Sequence, residues 1–550
     1  MIRRLLRASA GVLWCLPGFL LWAAFPPMGE KTEVVFALAP LLWLSRNCET
    51  RTAVRRWFLN GLVFWVATLQ WMPAIVKNGG PWPLVVLGWG ALSAYCAAYF
   101  AAFGYLSSKV WGFVRGRGYG WRLGALIVAE PVLWAGLELL RSRLFGGFAW
   151  NQLGVVPAVS GFGAPAAFGG VYLLSMAVVL VNGTLASLAD RVLAPWLRTH
   201  PRTLHLEGGT VEVAPEGADR GAAEPPRWAR SVETFLPFAI VWCIYQLPPP
   251  APQTPAERLS LQVALVQRNF PCVFEAREES PVDVYTELLA NVSPLKPELV
   301  VLPESAYCEV GRFGTRNALR FAGWMRAQTG SDAVLAGGMR IDGGREYNSA
   351  ALFQDGDDVQ VYDKVHLVPF GEYIPGDKWI TALQRLAPVG SCTPGELKTL
   401  ELRRSGIKLG VAICFEDTDS AQMRRLAAMG AEALVFMTND SWFSRSDEPV
   451  QHVWQAVARA LETGLPVIRV GNSGVTGVVS PDGRATWLAG QDGRPLVDMR
   501  GAMVERVEIA ANPTPAPYVR LGDLPLFVAF VLLIGGMILV KYAHNHEKRR

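Results

Sequence analysis

Long apolar blocks fill most of the first 250 positions, and a different rhythm replaces them afterwards. Mostly apolar runs occupy 9–26, 33–46, 55–76, 82–108, 122–141, 165–189 and 233–248, and one more lies at 524–541. A helix needs roughly 20 apolar residues to cross the hydrocarbon of a bilayer, so these blocks predict about eight membrane helices. The runs at 33–46 and 233–248 are short for a crossing and could be buried or interfacial helices, leaving the number open by about one or two.

Between 250 and 520 the apolar runs shorten, become rich in β-branched residues and are separated by Gly, Pro and charged stretches. That pattern predicts strands at 259–266, 298–302, 333–337, 349–353, 359–362, 408–413, 433–437 and 467–470, with helices at 282–289, 317–328, 420–429 and 451–461. The segment reads as a globular α/β domain large enough for one sizeable core. The proline-rich run 248–255 reads as its linker, and 207–226, rich in Gly, Ala, Glu and Pro, as a flexible loop. The expected organisation is a membrane domain of about seven helices over 1–248, the α/β domain over 249–520, and a last membrane helix with a basic tail over 521–550.

Composition supports the membrane assignment: 51% of residues are hydrophobic and 18% charged. The basic start, Arg3, Arg4 and Arg7, looks like the head of a signal peptide. The run that follows holds Pro17, ends at Pro26-Pro27 and lacks a clear cleavage site, so a retained first helix is expected. Connections on the cytoplasmic side carry excess Lys and Arg. With the N-terminus inside, Arg46 to Arg56, Lys109 to Arg122, Arg191 to Arg230 and Lys541 to Arg550 all fit, and Arg141 and Arg143 are exceptions. An odd number of spans before the linker puts the α/β domain outside the cytoplasm. A net charge of +5 scattered over membrane loops does not point to nucleic acid. Eight cysteines without paired spacing and six unclustered histidines suggest no metal site, and no cofactor is expected.

Candidate chemistry concentrates at the carboxyl ends of three predicted strands, where open α/β sheets place functional groups. Val300-Val301-Leu302-Pro303 runs into Glu304, Val361-Tyr362-Asp363 into Lys364, and Val411-Ala412-Ile413 into Cys414. A carboxylate can take a thiol's proton, and an ammonium can stabilise both the thiolate and a tetrahedral oxyanion, so the trio suffices for acyl transfer. Taken singly, each has a blander reading: Cys414 as core packing, Glu304 as a helix cap and Lys364 as a solvated side chain. Pairing of Cys414 with His452 or His366, as in thiol proteases, is another enzyme reading. A transporter is a third, with Glu130 and Glu138 as ionisable groups inside the spans.

The run from Tyr362 through Lys364, His366, Phe370, Glu372 and Tyr373 to Pro375 closely resembles the lysine signature of the apolipoprotein N-acyltransferases, a membrane branch of the nitrilase superfamily. Leu302-Pro303-Glu304, Tyr347-Asn348-Ser349, Cys414-Phe415-Glu416, Asn439-Asp440-Ser441-Trp442-Phe443, Gln451-His452 and Pro517-Tyr518-Val519-Arg520 stand around it in family order. Glu138 to Ser142 and Gly147 to Trp150 extend the resemblance into the membrane part. Phe415 stands where the family commonly has Tyr, Ala149 where it has Pro, and Ser441 and Ser444 where it has Ala and Gly; 390–395, with Cys392, is unlike the usual lid.

The resemblance implies a polytopic α-helical membrane protein whose extracytoplasmic domain is a nitrilase-like αββα sandwich. It also implies an acyltransferase with Cys414 as nucleophile, Glu304 as general base and Lys364 as oxyanion-stabilising cation. Glu372 would be an auxiliary carboxylate, and Tyr373, Phe415, Glu416, Asn439 and Trp442 auxiliary or substrate-binding residues. The implied donor is a membrane phospholipid and the implied acceptor the N-terminal amine of a diacylglyceryl apolipoprotein, in a bacterial inner membrane with the domain facing the periplasm. A membrane-anchored amidase of nitrilase type would use the same trio with water as acceptor. Phe370, Tyr373, Trp379, Ile380, Trp442 and Phe443 are candidates for an opening at the lipid surface, Glu138 for ordering Arg141, and pairing among Cys272, Cys308 and Cys392 is left open.

Overall fold

Each apolar block that falls in the described residues of a computed structural model is helical in whole or part, and the β-branched runs pair into two sheets. The structure describes residues 14–46, 48–199, 203–206, 209–212, 227–248, 258–270, 279–307, 316–355, 359–375, 391–443 and 445–547. Residues 213–226, most of the linker, Cys272, Cys308, Trp379, Ile380 and Ser444 lie outside these.

The first half holds α1 (Trp14–Ala23), α2 (Ala39–Arg46), α3 (Thr50–Thr68), α4 (Trp82–Val114), α5 (Tyr119–Arg141), α6 (Ala166–Thr199) and α7 (Arg227–Tyr245). Among the described residues, five helical stretches are long and apolar enough to cross a bilayer: Thr50–Asn78, α4, α5, Ala166–Val192 and Leu524–Ala543. The block at 33–46 is divided. A 3-10 turn over Lys31–Val35 precedes α2, whose eight residues reach roughly 12 Å and cannot span. In α7 the first turns carry Arg230 and Glu233, and Glu233 is ion-paired with Arg191, so its apolar part is shorter than its 19 residues. Part of the expected 207–226 loop is a strand, Gly209–Glu212, paired antiparallel with Thr203–Leu206.

Inside this bundle the two acidic groups of α5, Glu130 and Glu138, are held by fixed partners. Glu130 is ion-paired with Arg46 and accepts from Ser107 Oγ (2.8 Å) and Trp111 Nε1 (2.7 Å). A buried carboxylate so satisfied is a structural clamp rather than a station on a transport path.

Among its described residues the second half has twelve strands: β1 (Arg258–Gln267), β2 (Leu299–Val301), β3 (Ala333–Asp342), β4 (Arg345–Phe353), β5 (Val359–Asp363), β6 (Thr399–Glu401), β7 (Lys408–Ile413), β8 (Ala433–Thr438), β9 (Val467–Gly471), β10 (Gly477–Val479), β11 (Ala485–Trp487) and β12 (Gly501–Ala510). One sheet runs β12-β1-β2-β3-β4-β5 and the other β11-β10-β9-β8-β7-β6. Each has three parallel central strands flanked by antiparallel ones. Leu261, Val263, Leu265 and Val301 of one sheet meet Val411, Ile413, Val435 and Met437 of the other in a continuous core. Helices α8 (Pro281–Val292) and α9 (Arg316–Thr329) cover the outer face of the first sheet. On the second, α10 (Ser420–Ala428) and α11 (Glu448–Thr463) share a core with Ala166, Ala167 and Leu174 of α6. The second helix layer of this αββα sandwich therefore rests on the membrane helices. Short α12 (Pro517–Leu521) leads into α13 (Leu524–Glu547), whose Phe530 packs into the bundle core.

Candidate active site

Three loops, each following a strand, build the site. Glu304 comes just after β2, where Gly337 of the adjacent β3 lies against the chain. A Cβ at Gly337 would meet the Pro303 carbonyl at 2.6 Å and Glu304 Cα at 2.7 Å, so only glycine lets this loop sit down. Lys364 follows β5, and its N–H donates to the Asn348 carbonyl of β4 at 2.8 Å. Cys414 follows β7 at the head of a 3-10 turn, Cys414–Thr418, with φ +53°. A non-glycine residue in that region is uncommon and persists when its surroundings over-determine it.

Glu416, two residues on, supplies part of that determination. Its fully buried carboxylate accepts from Ile413 N (2.8 Å), Val365 N (2.8 Å), His366 N (3.0 Å), Tyr362 Oη (2.9 Å) and Gln422 Nε2 (2.8 Å). It therefore pins the cysteine turn to the lysine loop.

At the centre, Lys364 Nζ lies 2.9 Å from Glu372 Oε1 and 3.8 Å from Glu304 Oε1. Asn348 Nδ2 donates to both carboxylates at 2.7 Å, and Val368 N donates to Glu372 Oε2 at 2.7 Å. Asn348 belongs to the Tyr347-Asn348-Ser349 motif, but only the fold shows that its β4 position faces two acids remote in sequence. Burial pushes Glu304 above the usual carboxylate range, Lys364 pulls it back, and Glu372 pushes it up again. Burial works against the Lys364 ammonium, but Glu372, Glu304 and Cys414 outweigh it and raise its pKa. Burial and then Glu304 push the Cys414 thiol well up, with Lys364 opposing. The resting site thus holds a neutral thiol beside a buried carboxyl and a fixed ammonium, a set that can deprotonate a nucleophile on demand and neutralise an oxyanion.

The other expected residues have mixed fates. Tyr373 lines an open cleft of about 600 Å³ together with Val365, His366, Cys392 and Arg425. Asn439 Oδ1 accepts from Ser441 Oγ (2.7 Å) and Asn472 Nδ2 (2.9 Å), and the Trp442 carbonyl accepts from Asn78 Nδ2 (2.7 Å). These bonds shape the β8 loop and its seat on the membrane bundle. Phe370 is 69% exposed, whereas Phe443 packs on Trp71. Cys392, a free cysteine, is buried beside Glu372, and burial followed by that carboxylate pushes its thiol up to about 12. His452 cannot serve Cys414 as a base, since both ring nitrogens face carboxylates, Nε2 on Asp417 (2.9 Å) and Nδ1 on Asp440 (3.0 Å). His366 sits edge-on to Phe415 with Nδ1 3.9 Å from Asp419.

The bundle reaches the site directly. Phe415 stacks with Phe148 and Trp150 at 6.1 and 6.5 Å and belongs with the membrane core, not the sandwich core. Arg141 donates to the Phe148 and Trp150 carbonyls at 2.6 and 2.9 Å, while Glu138 accepts from Leu153 N at 2.9 Å. Both residues hold this loop, and Arg141 also acts electrostatically on Glu138.

Residues 17–184 match the model of the apolipoprotein N-acyltransferase N-terminal domain, and 262–499 match that of carbon-nitrogen hydrolase. A Methylococcus capsulatus apolipoprotein N-acyltransferase is 30% identical over 521 residues, covering 92% of each chain. The chain belongs to the apolipoprotein N-acyltransferase family. The Geobacter metallireducens relative is 29% identical over 487 residues, 85% of this chain and 84% of that one, and the Photobacterium profundum relative 27% over 558 residues, 98% and 95%. The two family matches coincide with the two halves described above: a polytopic membrane bundle and a nitrilase-like sandwich.

Proposed function

We propose that this protein moves a fatty acyl chain from a membrane phospholipid to the N-terminal amine of a diacylglyceryl-cysteine apolipoprotein, through a thioester on Cys414. The observation that carries this reading is that Glu304, Lys364 and Cys414 lie close enough to act on one another's charge, at a site whose neighbour Phe415 is seated in the membrane core. Both substrates keep acyl chains in the bilayer, and a nucleophile beside the lipid spares their extraction.

In the first half-reaction Glu304 takes the thiol proton as sulfur attacks the ester carbonyl. Lys364 faces the oxyanion. The tetrahedral intermediate collapses with loss of the lysophospholipid alkoxide, which takes the proton back from Glu304. In the second, the α-amine attacks the thioester, Glu304 accepts the amine proton, and the departing thiolate recovers it. Glu372 and Asn348 hold Lys364 and Glu304 in register throughout. The basic connections support a domain over 249–520 that faces the periplasm.

Incubation of the purified protein with an alkynyl phospholipid, followed by intact mass, tests the first half. A one-acyl adduct is expected on the wild type and none on Cys414→Ala; an adduct that survives the substitution refutes the assignment of the nucleophile.

A further inference from the structure

Asp440, Glu448 and His452 bring one ligand-type atom each within 4.8 Å of one another, which invites a metal reading. Their neighbourhood already holds its cation: the Arg469 guanidinium is paired with Asp417 and lies 3.5 Å from Asp440 Oδ2. His452 completes the balance. Its Nε2 meets Asp417 Oδ1 at 2.9 Å, and its Nδ1 meets Asp440 Oδ1 at 3.0 Å and Glu448 Oε1 at 3.3 Å. An ionised carboxylate only accepts, so both ring nitrogens donate and the ring is an imidazolium. Its side chain is 2% exposed, and the Trp150 ring lies 5.4 Å away on the membrane side.

The two clamped acids stand where the site is made. Asp417 shares the 3-10 turn that begins at Cys414, and Asp440 follows β8, the parallel neighbour of β7. His452 thus ties together the ends of two adjacent strands, under a nucleophile whose φ of +53° needs external support. Beside it on α11, Gln451 donates to the Pro26 and Thr68 carbonyls and accepts from Trp150 Nε1, which anchors the same helix turn in the bundle.

We propose that His452 is a positioning residue of the acyl-transfer reaction: held between Asp417 and Asp440, it fixes the turn that presents Cys414 to Glu304 and Lys364. The proposal rests on the reading of Cys414 as acyl nucleophile.

The test uses full-length His452→Gln and Asp440→Asn in detergent, measuring phospholipid acylation, alkylation of Cys414 by iodoacetamide and thermal unfolding. With His452→Gln folded, acylation kcat and Cys414 alkylation fall together, by about 100-fold as for a nucleophile displaced by an ångström, while KM for phospholipid stays put. Asp440→Asn moves both rates the same way and carries the test if the histidine variant does not fold. Wild-type alkylation of Cys414 in the folded variants, or a raised KM at constant kcat, overturns the proposal. Alkylation needs no lipid, so a wild type that forms no acyl-enzyme yet alkylates in a His452-dependent way would refute the proposed function and leave the positioning role standing.

Discussion

Lys364 is buried between two carboxylates and so cannot relax away from the site when charge develops there. Lys364→Met should lower the rate of acyl-enzyme formation by about 10²–10³, the usual loss for a removed oxyanion partner. Glu304→Gln should lower it by about 10²–10⁴. Quenched-flow mass measurements at saturating phospholipid check both. Because burial holds Glu304 above the ordinary carboxylate range, the wild-type rate should climb with pH beyond where a free glutamate has finished ionising, a climb absent from the glutamine variant. Glu448 gives a stability test. Burial and Asp440 push its carboxyl from 4.5 up to about 7. Between those values the folded protein keeps a proton that the unfolded chain has released, so the stability this group contributes is full below about pH 4.5 and is lost as pH rises to about 7. The melting temperature should fall over that interval, and Glu448→Gln should flatten the fall. The proposed catalytic trio was legible because each member ends an apolar strand. The bonds of Asn348 to Glu304 and Glu372, and the cluster of Asp417, Asp440, Glu448 and His452, were not, since their members come from β4, separate loops and α11 and meet only through folding.

Helix α11 joins the two halves, and its Gln451 is a buried point of contact. The side chain is fully buried and accepts from Trp150 Nε1 at 2.7 Å and Trp71 Nε1 at 3.3 Å. Gln451→Leu leaves indole donors without a partner, at about 1–3 kcal/mol each. Thermal unfolding in detergent should show that loss, whereas Gln70→Ala, whose bond to Asp447 is solvent-exposed, should show little. Period and length sufficed for most elements: all eight expected strands and all four expected helices of the sandwich are present. β12 escaped notice although Met503, Val507 and Ile509 face the core between the sheets. It is an edge strand whose Arg506 and Glu508 are exposed and whose Glu505, half-buried, interrupts the core-facing side, which dilutes the apolar signal. The block at 33–46 was short enough to be read as a buried helix, but apolar composition does not reveal that the chain breaks before Ala39.

At the scale of the whole molecule, one charge pattern and one contact surface define the arrangement. The basic connections predict that, in intact cells, a membrane-impermeant maleimide labels Arg494→Cys in the sandwich but not Arg117→Cys in the α4–α5 connection. The reverse pattern would invert the topology. The sandwich, by contrast, is oriented on the bundle by Phe415, Gln451 and Asn78, contacts no periodicity could foretell. They place the nucleophile at the boundary between the halves, which is where acyl transfer between two lipid-anchored substrates requires it. An amidase needs no such seat. The decisive measurement loads the protein with alkynyl acyl chain from phospholipid, adds a diacylglyceryl-cysteine peptide and follows both masses. Movement of the label from Cys414 to the peptide's α-amine is the predicted result; release of the label only as free fatty acid would contradict it.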